Sequence, residues 1–277
     1  MRGKFFAALT LAATLLLTGC GGGGDQPAQK TDDKAAKEVT LKIGATPVPH
    51  AEILEQIKPD LKEKGITLEV VEFNDYVQPN IALNDKELDA NFFQHEPYLN
   101  DFIKEHKDVK LKNAGGVHIE PMGIYSKKIK KLDELTGGAT VSIPNDPTNG
   151  GRALLLLQKA GLLKLKDGVN EMATVQDIVE NPKDLRIKEV EAAQLPRTLE
   201  DVDISIINTN FAMNADLNPM RDALFIEDKT SPYVNIIAVR DGDENREEIK
   251  TLINTIKTDK IKKFLEEKYK GAIVPAF

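Results

Sequence analysis

Val39, Leu41 and Ile43 alternate with polar neighbours, Ile53, Leu54, Ile57 and Leu61 recur at helical spacing, and after Gly65 the alternation returns at Ile66, Leu68 and Val70. No other feature narrows the fold so far. Period-two alternation marks a half-buried strand, and the three-and-four spacing marks an amphipathic helix. Gly65 supplies the helix stop. Strand, helix and strand within about thirty residues form a βαβ unit, which demands parallel pairing and a right-handed crossover.

The pattern continues. Residues 88–93 read as a strand and 98–106 as a helix, with 109–111 and 117–125 extended; 185–190, 202–207 and 233–239 read as further strands. The run 202–207 is almost wholly apolar, as in a strand covered on both faces. Residues 192–199 form a short helix, and 246–269 are expected as one amphipathic helix carried past Thr258 and Asp259. Strands and helices in alternation define an α/β class, and about 240 residues suit two lobes.

Pro144-Asn145-Asp146-Pro147-Thr148-Asn149-Gly150-Gly151-Arg152 interrupts this regularity. Its prolines and glycines end the apolar run 139–143 and turn the chain. A leucine-rich helix follows, with Asn149 or Thr148 as N-cap and Gly161 as the stop, which places Arg152 in the first turn. A cation is disfavoured there beside the positive end of the helix dipole. An anion between the backbone N–H groups and the guanidinium removes the conflict, as does pairing with a local carboxylate such as Asp146 or a side chain that leans into water.

Arg2 and Lys4, a thirteen-residue apolar run at 5–17 and Leu17-Thr18-Gly19-Cys20 form a leader that is too short to span a bilayer permanently. The pattern resembles a bacterial lipobox, with residues 1–19 removed and Cys20 lipidated as the first mature residue. Residues 20–38 are glycine-rich and polar and form a tether. A single cysteine excludes a disulfide framework and a thiolate metal cluster. With 37 basic against 44 acidic residues, the chain lacks the excess of cations that nucleic acid attracts.

Ligands of open α/β sheets settle beyond the carboxyl ends of strands. Tyr76, Phe93, His95, Asn208 and Asn210 follow or end predicted strands, His118 and Glu120 interrupt an extended segment, and Asn235 is an amide within an apolar strand. Each also has a plain structural role: core aromatic, helix cap, or amide bonded to backbone. His50 and His106 read as loop and surface residues. No zinc spacing, nucleophile elbow, P-loop or dinucleotide fingerprint is present, so neither a metal nor a cofactor is expected and no residue is assigned as catalytic.

Longer motifs identify the chain more closely. Asp75-Tyr76-Val77-Gln78-Pro79-Asn80, residues 89–99 (DANFFQHEPYL), Pro144 to Asn149, Ile207-Asn208-Thr209-Asn210-Phe211-Ala212 and Tyr233-Val234-Asn235 resemble the methionine-binding lipoproteins of bacterial methionine ABC importers. The resemblance implies a two-lobed periplasmic-binding-protein fold with a hinge and an interlobe ligand cleft. Residues 39–120 plus 230–277 are expected as lobe 1 and 121–229 as lobe 2, with crossings near 120–125 and 228–233 as hinges. It further implies Tyr76 and Phe93 around the ligand side chain, His95 beside it, Arg152 on the α-carboxylate, and Asn210 and Asn235 on the head group. Glu120 is the candidate for the ammonium. The implied partners are methionine or a related small ligand, a permease with its cytoplasmic ATPase, and the membrane through the lipid on Cys20, on the extracytoplasmic face. L-methionine, D-methionine and a methionine dipeptide all remain open. Two other classes stand beside this one: an extracytoplasmic enzyme with His95 or Glu120 as base, and an adhesin without a deep pocket.

Overall fold

The structure is a computed structural model and describes residues 38–277. The expected leader, Cys20 and the tether as far as Lys37 lie outside the described residues. The opening βαβ unit forms as its periodicity requires. β1 (Val39–Ala45) and β2 (Ile66–Glu72) pair in parallel, Val39 opposite Ile66, joined by α1 (Glu52–Glu63). α1 turns Ile53, Leu54, Ile57 and Leu61 into the core and ends before Gly65, whose φ is +77°.

α2 (Gln78–Asn84) leads to β3 (Ala90–His95), then α3 (Glu96–Glu105) and β4 (Leu111–Ile119). β4 is continuous where the sequence shows two extended pieces. The chain then crosses to a second sheet through β5 (Gly123–Tyr125). β6 (Thr140–Pro144), α4 (Pro147–Lys159) and a small antiparallel pair, β7 (Lys164–Leu165) with β8 (Ile178–Glu180), come next. β9 (Arg186–Val190), α5 (Leu195–Thr198), β10 (Ile204–Ile207), α6 (Thr209–Asn214), α7 (Pro219–Asp222) and β11 (Phe225–Ile226) complete this half. β12 (Val234–Arg240) returns to the first sheet, followed by α8 (Glu247–Ile256), α9 (Asp259–Tyr269) and β13 (Val274–Pro275).

Two sheets result, ordered β13-β4-β12-β3-β1-β2 and β11-β5-β10-β6-β9. Both are mixed, because β12 runs antiparallel to β3 and β4, and β5 antiparallel to β10. Each sheet carries its own apolar core. Leu41, Ile43, Ile57, Ile237, Leu252 and Leu265 are fully buried against the first, and Met122, Ile143, Leu154, Leu157, Ile204 and Ile206 against the second. Burying each such side chain is worth about 1.5–3 kcal/mol, so each sheet holds its helices independently. The chain passes between the sheets at 119–123 and 226–234. Two sheets, each with its own core and joined by two crossings, make a two-lobed α/β fold.

Three expectations need correction. The C-terminal helix is two helices, because the chain leaves helical geometry at Lys257 (ψ +57°) and restarts after Thr258. The helix after β6 begins at Pro147, six residues before Ala153. Its N-cap is Asp146, whose carboxylate accepts the N–H of Asn149 at 2.9 Å, and Pro147 suits the first helical position because it has no N–H to leave unpaired. Arg152 therefore lies in the second turn and not the first. The far end is as expected: Gly161 has φ +73°, Leu162 N–H donates to Leu157 O and Gly161 N–H to Gln158 O, a Schellman closure.

Gly151 lies inside α4 because there is no space for anything larger. A Cβ there would stand 2.1 Å from Glu171 O and 2.8 Å from Ala173 N, both backbone atoms. Gly151→Ala is expected to destabilise the fold by about 1–3 kcal/mol through overpacking, a fall of about 2–4 °C in melting temperature per kcal/mol for a chain this size. Differential scanning calorimetry checks it; an unchanged or higher melting temperature rules out the close packing.

Candidate ligand-binding site

All seven residues expected at a ligand line one cleft of about 320 Å³, part of which opens to solvent. Tyr76, Phe93 and Tyr98 form its aromatic side, with Tyr76 and Phe93 ring centroids 5.7 Å apart. The Phe211 ring packs against Tyr76, centroids 4.8 Å apart and planes tilted by 36°. Arg152, Glu120 and a set of amides form the polar side. β-Pairing explains part of the convergence, since Asn235 on β12 lies opposite His95 on β3 and His118 on β4.

Tyr76 donates its hydroxyl to Asn210 Oδ1 at 2.6 Å. Burial, with help from the Glu120 charge, pushes the Tyr76 phenol well above its ordinary pKa, so it remains a donor. Asn210 Nδ2 is buried without a protein partner. His95 caps α3: its Nδ1 accepts the N–H of Tyr98 at 3.1 Å, so Nε2 carries the proton and donates to Asn149 Oδ1 at 3.1 Å. Burial, then the nearby Arg152 charge, lowers the His95 pKa to about 3, which keeps the ring neutral.

Arg152 is 2% exposed and already paired. Its Nε donates to Glu227 Oε1 at 3.0 Å and its Nη2 to Glu227 Oε2 at 2.5 Å and to Glu120 O at 2.7 Å. The guanidinium carbon lies 4.2 Å from the centre of the Tyr233 ring. The anion that settles a cation near this helix start is thus a protein carboxylate 75 residues away, and Asp146 is occupied as the N-cap. The bonds to Glu227 and Glu120 use Nε and Nη2, and Nη1 makes no hydrogen bond among the described residues.

His50 is fully buried, which corrects its reading as a loop residue at the surface; His106 is exposed as expected. Thr46 Oγ1 lies 2.7 Å from His50 Nδ1 and donates to it, so Nε2 bears the proton and is shared between Asn235 Oδ1 and Glu120 Oε1, both at 3.1 Å. His118 Nε2 lies 2.8 Å from the same Glu120 oxygen, and Asn210 N–H donates to the other at 3.1 Å. Glu120 is therefore a buried carboxylate held by three donors. Burial raises its pKa against the opposing influence of His50, Arg152 and the Asn210 N–H.

The ligating atoms of His50, His118 and Glu120 lie within 4.8 Å of one another, close enough to consider a metal. The hydrogen bonding points elsewhere. A ligating histidine donates its second ring N–H to an acceptor, whereas His118 Nδ1 has no partner. Both Nε2 atoms are accounted for as donors to the carboxylate.

Glu227, Asn149 and His50 carry no ligand assignment from sequence. Asn149 stands inside a motif of interest as a cap, and Asn208 is a candidate behind a predicted strand that also reads as a cap. Neither caps through its own side chain, and both line the cavity.

The profile of the NlpA lipoprotein family matches residues 41–277. The D-methionine-binding lipoprotein MetQ of Escherichia coli K12 is 44% identical over 275 residues, covering 98% of this chain and 97% of that one. The methionine-binding lipoprotein MetQ of Bacillus subtilis 168 is 44% identical over 279 residues, covering 99% of each. Among solved structures, a nutrient-binding protein from Burkholderia cenocepacia bound to methionine superposes with a TM-score of 0.83 at 47% identity, covering 86% of this chain and 100% of that one. A profile match across both sheets and full-length relatives far above 30% identity place this chain in the NlpA lipoprotein family.

Proposed function

We propose that this chain captures methionine outside the cytoplasm and delivers it to an ABC importer, as a binding protein and not as an enzyme. The observation that carries the reading is the segregated lining of the cavity: aromatic faces on one side, a guanidinium, a carboxylate and unpartnered amides on the other. A zwitterion with an unbranched apolar side chain is the complement of that surface. A thioether between Tyr76 and Phe93 gains sulfur–aromatic contact worth about 0.3–1.5 kcal/mol beyond its burial. Arg152 takes the α-carboxylate through Nη1, Asn210 and Asn235 add amide N–H donors, Glu120 faces the ammonium, and His95 holds the wall between them. The methionine bound to the Burkholderia relative supports the choice of ligand.

Residues 39–120 with 230–277, and 121–229, move as lobes 1 and 2, with the crossings near 120–125 and 228–233 as hinges. The closed form is what the permease with its ATPase recognises, and lipidated Cys20 keeps the protein at the extracytoplasmic face of the membrane. The experiment is direct. The leaderless chain with Cys20→Ser is weighed by native mass spectrometry as purified, then unfolded, dialysed, refolded and titrated calorimetrically with L-methionine, D-methionine and Gly-Met. One-to-one binding of one of these is the expected result and names the ligand. A refolded protein that binds none of them ends the methionine reading.

A further inference from the structure

Three amides are sealed beside the aromatic side of the cavity. Asn80, in the first turn of α2, and Asn91, on β3, are fully buried, and Gln94, also on β3, is 3% exposed. Their polarity is fixed from one end. Pro79 O can only accept, so Asn91 turns its Nδ2 toward it at 3.1 Å, and the second N–H of that group donates to Asn80 Oδ1 at 2.8 Å. With its oxygen turned to Asn91, Asn80 presents Nδ2 to Gln94 Oε1 at 2.9 Å. Gln94 Nε2 returns bonds to Asn80 Oδ1 at 2.7 Å and to Asn91 Oδ1 at 3.0 Å. No side-chain oxygen or nitrogen of the three lacks a partner.

The strand is shaped to allow this. β3 carries one residue more than β12 between the pairs Ile237–Phe92 and Ile236–Gln94, a bulge at Phe93. In an unbroken strand Gln94 would share the face of Ala90 and Phe92, which belong to the core beneath α1. Across the bulge it joins Asn91 and Phe93 on the side of α2, opposite Ile236. Two consecutive residues thus face one way. Phe93 enters the aromatic wall, and Gln94 enters the amide cluster, where both of its N–H groups are spent.

A buried polar cluster is costly when half satisfied, and when fully satisfied it selects one arrangement. The arrangement selected here is the seating of α2 on β3. Tyr76 stands two residues before α2, and its other supports come from two directions. Its hydroxyl bonds Asn210 and its ring leans on Phe211, both on α6 of the second lobe. On its own lobe it has Phe93, Tyr98 and the helix that the amides hold. Building on the methionine reading, we propose that Asn80, Asn91 and Gln94 are positioning residues that set Tyr76 against Phe93, so that the slot for the ligand side chain is formed before the lobes close. Their amides bond one another and α2, and act on the ligand only through the two rings. A slot formed in advance lowers the ordering cost of binding.

The test reads the slot without ligand and then with it. Incorporated 3-fluorotyrosine gives a fluorine NMR signal for each tyrosine, and Tyr76→Phe identifies the one from residue 76. In ligand-free Asn91→Leu the Tyr76 signal is expected to shift or broaden as its ring loses its place on Phe93, while that of Tyr269, in the core beneath α1, stays where it is. Calorimetric titration, by competition for the weaker ligand, then compares methionine with 2-aminobutyrate, which keeps the head group and lacks the thioether. Asn91→Leu is expected to weaken methionine about 3- to 10-fold, the range for lost sulfur–aromatic contact, and 2-aminobutyrate by less than about twofold. Gln94→Met keeps the length of the side chain and serves in both measurements if Asn91→Leu does not fold. An unmoved Tyr76 signal beside a lower melting temperature, equal loss for the two ligands, or no loss for methionine makes the cluster structural only and overturns the proposal. If the wild-type chain binds neither amino acid, the methionine reading falls and the fluorine signal decides alone: a displaced Tyr76 upholds the positioning role, and an unmoved one ends it.

Discussion

Arg152→Ala is expected to weaken methionine binding by about 2–5 kcal/mol, roughly 30- to several-thousand-fold, because a carboxylate in a closed cavity then loses its charged partner. The same change affects the empty protein. Glu227 has a side chain only 13% exposed, and apart from Arg152 its recorded donor is Met122 N–H at 3.3 Å. Removing the guanidinium leaves that carboxylate nearly alone, and breaking a buried pair costs about 3–5 kcal/mol. The melting temperature of the ligand-free chain should therefore fall by about 10 °C. The two losses can be separated. In the double variant Arg152→Ala with Glu227→Gln the uncompensated charge is gone, so much of the stability returns while methionine binding does not. Methionine affinity within threefold of wild type in Arg152→Ala would remove this residue from the site. Recovery of binding in the double variant would mean that Arg152 acts only by neutralising Glu227.

Arg152 also shows what sequence could and could not disclose. Its proximity to a proline–glycine turn points to an anionic partner through local rules of helix electrostatics, although the first-turn position behind that expectation does not hold. The partner Glu227 lies in another part of the chain, and no local rule connects positions 75 apart. The same division holds for the fold. β1, α1 and β2 announced themselves because periodicity and Gly65 are local. The start of α4 was placed late because Pro147 is at once a loop signal and the best residue for a first helical position. The break between α8 and α9 was missed because apolar spacing is good on both sides of Thr258 and no proline or glycine separates them.

His50 is the clearest case. A histidine in Thr46-Pro47-Val48-Pro49-His50 carries every mark of an exposed loop, yet tertiary packing encloses it between Phe92, at 4.5 Å, and His118, at 5.0 Å between ring centres. Burial is set by which elements cover a loop, not by its composition. The amide polarity at Asn149 is further still from the sequence, since it depends on His95, from a different element, donating to its Oδ1. Family motifs located the wall of the cavity, and only the hydrogen-bond geometry assigns its donors and acceptors.

The three buried histidines give the second large effect, a loss of stability in mild acid. Burial lowers His50 to about 4, opposed by the Glu120 charge, and lowers His118 to about 3; burial with the Arg152 charge lowers His95 to about 3. Unfolded, each titrates near 6.5. Between these values the unfolded chain binds protons that the folded chain refuses, so stability rises with pH across that window. The histidine contribution is complete above about pH 6.5, and is lost as pH falls toward 4 for His50 and toward 3 for His95 and His118. Each contributes a slope on the order of 1 kcal/mol per pH unit, and three together exceed most single-site effects in a domain. Glu120 and Asp146 act in the opposite sense, because burial raises both and the folded state takes up their protons first. Two carboxylates offset part of three histidines and leave a net loss of several kcal/mol between about pH 6.5 and 4. Urea unfolding of the ligand-free chain at half-unit steps of pH measures it, and His118→Gln should lower the slope by about 1 kcal/mol per pH unit, more than a third of the net value. A flat profile across that window would show that these imidazoles are protonated inside the fold, and the donor assignments at Glu120 and Asn149 would have to be redrawn.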